Sequence, residues 1–183
     1  MPRRALILVD IQNDYFPGGK WPLVGQEAAA GNAARLMGAA RDAGDLVVHV
    51  RHESGRADAP FFAPGTEGAQ THASVAGLPD EPVVVKNHIN AFRDTDLKAI
   101  LDRHGVDAVT IAGSMSHMCV DAATRAAADF GYKVTLVHDA CATRDLEFGG
   151  RTVPAAQVHA SFMSALGFGY AAVRSLDEAL GGT

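Results

Sequence analysis

Ala5-Leu6-Ile7-Leu8-Val9-Asp10 decides the reading of this chain, because five apolar residues run without a polar interruption into a single carboxylate. A strand with one wet face alternates apolar and polar residues. An unbroken run is instead expected of a strand covered on both faces, as in a parallel sheet between helical layers. The acid at its end is equally informative, since open parallel sheets bind ligands at the carboxyl ends of their strands.

Working outward, the same pattern recurs. Gln26 to Ala43 is Ala-rich and reads as a helix ended by Gly44. Leu46 to Val50 is a second buried strand and Val83 to Val85 a third. Asp94-Thr95-Asp96 supplies capping side chains for a helix ending near Gly105. Val106 to Ala112 reads as strand four, Met118 to Phe130 as a helix stopped by Gly131, and Lys133 to Val137 as strand five. Pro154 to Leu166 is a further helix and Tyr170 to Val173 a sixth strand. Such alternation predicts right-handed crossovers and an α/β, three-layer Rossmann-like fold: one domain over 1–183, with a six-stranded, mainly parallel central sheet and helices on both faces. Glu53 to Pro82 is long, irregular and rich in Pro and Gly, so it is expected to be a lid or a subunit contact.

Composition narrows the functions. The net charge of -5 opposes a nucleic-acid or anionic-membrane surface, either of which calls for a basic patch. No apolar run approaches the roughly 20 residues of a membrane span. The opening Met1-Pro2-Arg3-Arg4 is basic, but the apolar run after it is too short for a signal-peptide core. With two cysteines and no need of a disulfide, a cytoplasmic, reducing compartment is expected. The segment after strand one has no glycine between Asp10 and Asp14, so neither a dinucleotide fingerprint nor a P-loop is present. Gly149-Gly150 is placed far from any strand end.

Strand ends gather the candidate chemistry. Strand one ends at Asp10, strand three at Lys86, and strand four runs through Gly113-Ser114-Met115-Ser116 to Cys119. Each has a plainer reading, as a cap, a solvated lysine or a small buried hydrophobe. Cys119 differs from Cys141 in lying at the start of its helix, where the dipole and free N–H groups favour a thiolate. Cys141 reads as structural. Phe16 and Trp21 are candidates for an apolar substrate wall and Phe61 and Phe62 for a lid. His52 and His117 are candidate polar contacts, with core packing or a structural histidine as the alternative. Arg51 suits a carboxylate-bearing substrate or a local acid.

These residues resemble a known family. Asp10-Ile11-Gln12-Asn13-Asp14-Tyr15-Phe16, Val85-Lys86 with Ala91-Phe92, and Gly113-Ser114-Met115-Ser116-His117-Met118-Cys119-Val120 look like the three signature segments of isochorismatase-like hydrolases, in order along nearly the whole chain. The resemblance implies a catalytic triad of Asp10, Lys86 and Cys119 and a cis peptide at Ser114-Met115. It also implies an oxyanion hole from the Met115 and Cys119 N–H groups, and a homo-oligomer, dimer or tetramer. The cysteine favours amide, carbamoyl or ureido hydrolysis through a thioester over vinyl-ether cleavage of the isochorismatase type. Nicotinamidases, a related branch, carry an Asp-x-His metal motif where this chain reads Arg51-His52-Glu53, so no cofactor and no zinc are expected. A small-molecule substrate is the expected partner, with no nucleic acid and no membrane. The alternatives are isochorismatase-type hydrolysis and a non-enzymatic thiol sensor using Cys119 with Cys141.

Overall fold

The computed structural model describes residues 3–181, so Met1 and Pro2 of the basic N-terminus lie outside the described residues. Strand β1 (Arg4–Val9) is followed by α1 (Gln26–Asp42), β2 (Leu46–His52), β3 (Val83–Lys86), α2 (Leu97–Arg103) and β4 (Ala108–Ser114). A π-helical turn, Ser116–Val120, runs into α3 (Asp121–Asp129). Then come β5 (Lys133–Ala142), the hairpin β6 (Leu146–Phe148) and β7 (Arg151–Val153), α4 (Ala155–Gly169), β8 (Ala172–Arg174) and α5 (Leu176–Ala179).

Six strands form one sheet in the order β3-β2-β1-β4-β5-β8, and every pairing in it is parallel. The chain walks outward from β1 to β3, then restarts on the other side of β1 with β4. That reversal opens a crevice above the carboxyl ends of β1 and β4. The expected α/β architecture is therefore present, all-parallel in its main sheet.

The unbroken run in β1 has its cause in the layers. Leu6 and Leu8 face one side, with Ala33, Leu36 and Met37 of α1 and Leu176 of α5. Ala5, Ile7 and Val9 face the other, with Leu97 and Leu101 of α2, Ala123 and Ala127 of α3, and Leu166 of α4. Both faces exclude water, so neither tolerates a polar residue.

Four features differ from the sequence expectation. β2 continues through Arg51 and His52. β5 continues to Ala142 because a bulge opposite Ile111–Gly113 accommodates the half-buried polar pair His138-Asp139. Gly149-Gly150, placed far from any strand end, instead forms the β6–β7 turn with φ of 59° and 72°, a conformation glycine adopts without strain. Helix α5, too short to show a period, starts with a capping box between Ser175 and Glu178.

The 53–82 connection is tied down by the first signature segment. Gln12, fully buried, donates to the carbonyls of His52 and Ala69, both at 2.8 Å, and accepts from the His52 N–H at 2.8 Å. Asp14 accepts from the Phe62 N–H at 2.7 Å. At the far end Glu81 takes a bidentate Arg41 at 2.7 and 2.8 Å, the Leu78 N–H at 2.8 Å and the His49 ring at 2.9 Å. These contacts hold Glu81 at about 2, first through Arg41.

Candidate active site

Asp10 follows β1 with φ 51°, its N–H bonded to the Val50 carbonyl at 2.9 Å, and its side chain is sealed from solvent. Lys86 is the last residue of β3 and is 1% exposed. Cys119, 6% exposed, lies on the π-helical turn beyond β4. β4 can approach β1 closely here because Gly113, at φ 134°, has no side chain; a Cβ would collide with the backbone of Val9. The Ser114–Met115 peptide that follows is cis.

The Lys86 ammonium is the hub of the site. Its Nζ lies 2.8 Å from Asp10 Oδ2, donates to Cys119 Sγ at 3.2 Å and donates to His52 Nδ1 at 3.0 Å. An ammonium has three protons, and these three partners occupy its surroundings. The approach to Asp10 is an ion pair rather than an aligned hydrogen bond, so both Asp10 oxygens are buried without a hydrogen-bond partner among the described residues. Burial alone would lower Lys86, but the Asp10 carboxylate first, and then the neighbouring Cys119, outweigh it and hold its pKa above the ordinary value. His52 is shifted down, first by burial and then by Lys86, which keeps it neutral with Nδ1 as acceptor.

The thiol departs from expectation. A helix start was expected to favour a thiolate, yet burial, followed by the neighbouring Asp10 charge, pushes the Cys119 thiol well up against the opposing pull of Lys86. Taking sulfur out of water outweighs the partial charges of one turn. The resting site therefore holds a thiol beside an unsatisfied carboxylate. Cys141 is also a free thiol; it donates to the Val137 carbonyl at 3.3 Å, and burial pushes it up to about 12. Two thiols held protonated make a poor sensor pair.

The other candidates are divided among different surroundings. Trp21 stacks on Phe61 with centroids 4.7 Å apart, and Phe61 and Phe62 pack edge-on with Met115 in the same cluster. Phe16 does not join this wall: it stacks on His72 at 3.6 Å and packs among Leu8, Ile11 and Val75. Its place is taken by the preceding residue, Tyr15, 4.6 Å from Phe62 and close enough to Asp10 and Cys119 that burial and those charges raise its phenol well above the ordinary value. In an irregular segment no period says which of two adjacent aromatics turns inward. His52, half-buried, touches Lys86, and His117 is bonded to Thr143 Oγ1 at 2.6 Å. Arg51 is held by Glu53 at 2.8 Å and by Gln70. Among the described residues no group of three or more His, Cys, Asp or Glu is arranged to hold a metal, and no helix is long and apolar enough to cross a membrane.

An acid and a thiol, each in contact with one buried ammonium above a sheet switch point, is a recognisable arrangement, and residues 4–153 match the model of the isochorismatase domain. The chain belongs to the isochorismatase family. A crystal structure of a hydrolase of this family from Oleispira antarctica shares 57% identity and superposes with a TM-score of 0.95, covering 98% of this chain and 97% of that one. Streptothricin hydrolase of Streptomyces noursei is 38% identical over 90% of this chain and 59% of its own length. Maleamate amidohydrolase of Pseudomonas putida is 32% identical over 76% of this chain and 72% of its own. Like these relatives, this isochorismatase-family protein is a hydrolase.

Proposed function

We propose that this hydrolase cleaves an amide-type C–N bond, whether amide, carbamoyl or ureido, of a small molecule through a thioester on Cys119. The observation that carries the reading is the Lys86 ammonium, in contact with both the Asp10 carboxylate and the Cys119 sulfur. The names of two relatives, a hydrolase and an amidohydrolase, support it.

Asp10, with both oxygens free of hydrogen bonds, accepts the Cys119 proton as sulfur attacks the carbonyl carbon. Lys86 stays protonated and balances whichever of the two groups carries the negative charge. The carbonyl oxygen becomes an oxyanion, which this reading assigns to the N–H groups of Met115 and Cys119, at the head of and within the π-helical turn that carries the sulfur. Collapse breaks the C–N bond, and Asp10 returns the proton to the departing nitrogen. Water, deprotonated by the same carboxylate, then attacks the thioester; the C–S bond breaks, the acid is released, and Asp10 returns the proton to the Cys119 sulfur. Dividing one difficult displacement into two is the gain from a covalent nucleophile. Proton transfer uses only side chains of the chain itself, with no cofactor. Helix α4, which has no Asp, Glu, Lys or Arg and exposes Phe168, supports self-association of a homo-oligomer.

The test is a panel of small amides, carbamoyl compounds and ureides followed by ammonia release and intact mass. A mass gain equal to the acyl group on the wild type, absent in Cys119→Ala together with turnover, is the expected result. Full activity of Cys119→Ala would overturn the mechanism.

A further inference from the structure

His52 enters no step of the proposed reaction, yet it lies against the group on which every step depends. The parallel register of β2 and β3 sets it directly beside Lys86, and the Glu53 N–H bonds the Lys86 carbonyl at 2.9 Å. The Gln12 side chain grips the His52 backbone from both sides, accepting from its N–H and donating to its carbonyl, each at 2.8 Å. The ring packs with its centroid 6.0 Å from that of Phe62. Held in this way, it presents Nδ1 to the Lys86 ammonium at 3.0 Å.

The three partners of that ammonium are not equal. Asp10 Oδ2 lies 2.8 Å away but out of line for a hydrogen bond, so it supplies charge without direction. Cys119 Sγ, at 3.2 Å, is a weak acceptor. The imidazole nitrogen accepts along one direction, that of its lone pair in the ring plane. Because the Lys86 side chain is 0% exposed, solvent does not orient its protons. With one of three tetrahedral protons fixed on His52, the other two are left the directions of Asp10 and the sulfur.

We propose that His52 is a positioning residue: as a neutral imidazole it accepts one Lys86 proton at Nδ1 and thereby keeps another aimed at the Cys119 sulfur. The ring can do this only without a second proton of its own, since a protonated Nδ1 is a donor facing a donor. The groups that face it are the Lys86 ammonium, the Asp10 carboxylate and His88, while Arg51 and Glu53 on either side in sequence pair with each other at 2.8 Å. Burial first and then Lys86 hold its pKa below the ordinary value, against the pull of Asp10, so the ring is neutral at pH 7. The polar substrate contact that the sequence offers for His52 is closed to Nδ1 by this bond.

This inference rests on the amide-hydrolase reading, and one arm of the experiment is independent of turnover. His52→Leu removes the acceptor; His52→Asn restores one, because the Asn Oδ1 is joined to Cγ as the ring Nδ1 is. At pH 8, iodoacetamide is expected to label Cys119 about tenfold more slowly in His52→Leu, whose ammonium no longer supports the thiolate, and at near the wild-type rate in His52→Asn. On an amide that the wild type turns over, His52→Leu is expected to lower kcat about 10²-fold with KM unchanged, and His52→Asn to regain most of it. Damage to the packing alone impairs both variants alike. The wild-type kcat is expected to fall as pH drops below 6.5 and His52 gains a proton, and that fall to move to lower pH in His52→Asn. Equal labelling in wild type and His52→Leu, a loss confined to KM, His52→Asn as impaired as His52→Leu, or an acid limb unmoved by His52→Asn overturns the positioning role and leaves the hydrolase standing. If no amide of the panel acylates wild-type Cys119 while the labelling order holds, the hydrolase reading falls and the aimed ammonium stands.

Discussion

Replacing Lys86 by methionine removes the hub of the site and leaves its volume nearly unchanged. The side chains of Asp10 and Lys86 are both 0% exposed, with charges 2.8 Å apart. At that distance, with an effective dielectric constant of about 20, their attraction is about 6 kcal/mol. Breaking such a pair from one side costs about 3–5 kcal/mol, because the remaining carboxylate is buried with no counter-charge. For a chain of this length that amounts to a fall in Tm of about 6–20 °C. The one tryptophan, Trp21, packs in the adjacent cluster and reports urea unfolding by its fluorescence. The decisive comparison is Asp10→Asn/Lys86→Met, in which the orphan charge is gone. The double variant is expected to regain about 2 kcal/mol over Lys86→Met alone. If Lys86→Met lies within about 1 kcal/mol of wild type, or the double variant is no more stable than the single one, the two charges do not depend on each other as the geometry implies.

Three further outcomes follow. Asp10→Asn should make Cys119 more reactive yet the enzyme slower: loss of the carboxylate lowers the thiol pKa and speeds iodoacetamide labelling at pH 8, while turnover drops by about 10²–10⁴ with loss of the base; slower labelling contradicts the assignment. Glu81→Gln should cost about 2–3 kcal/mol at pH 7. A carboxyl at about 2 in the fold and near 4.3 in the unfolded chain contributes stability above pH 4.3 that vanishes as pH falls through 2, so the gap from wild type should close over that window in pH-dependent urea unfolding. Gly113→Ala places a methyl group on the Val9 backbone at a φ that alanine avoids, and should lower stability by about 3 kcal/mol or more in the same assay.

Much of the fold was legible because water exclusion on two sides leaves a mark on every central strand. Leu6 and Ile7 face opposite layers, and both are apolar for the same reason. The hairpin at Gly149-Gly150 and helix α5 escaped because each is only a few residues long and depends on turn geometry or one capping box rather than on a period. The meeting of Asp10, Lys86 and Cys119 was legible as three strand ends on one edge. His52 was legible as a polar residue near that edge, but its bond to Lys86 was not. That bond depends on β2 continuing two residues further than its apolar run.

From its sequence by itself this chain determined its class, its order of elements and the three strand-end side chains that meet above the sheet, because burial pattern and residue chemistry are local properties. Only the tertiary structure decided their electrostatic states and neighbours. Whether a thiol at a helix start is held protonated, which of Tyr15 and Phe16 packs beside Phe62, and whether Lys86 meets His52 all depend on groups distant in sequence. Desolvation and charge act through space, and only the packed fold sets those distances.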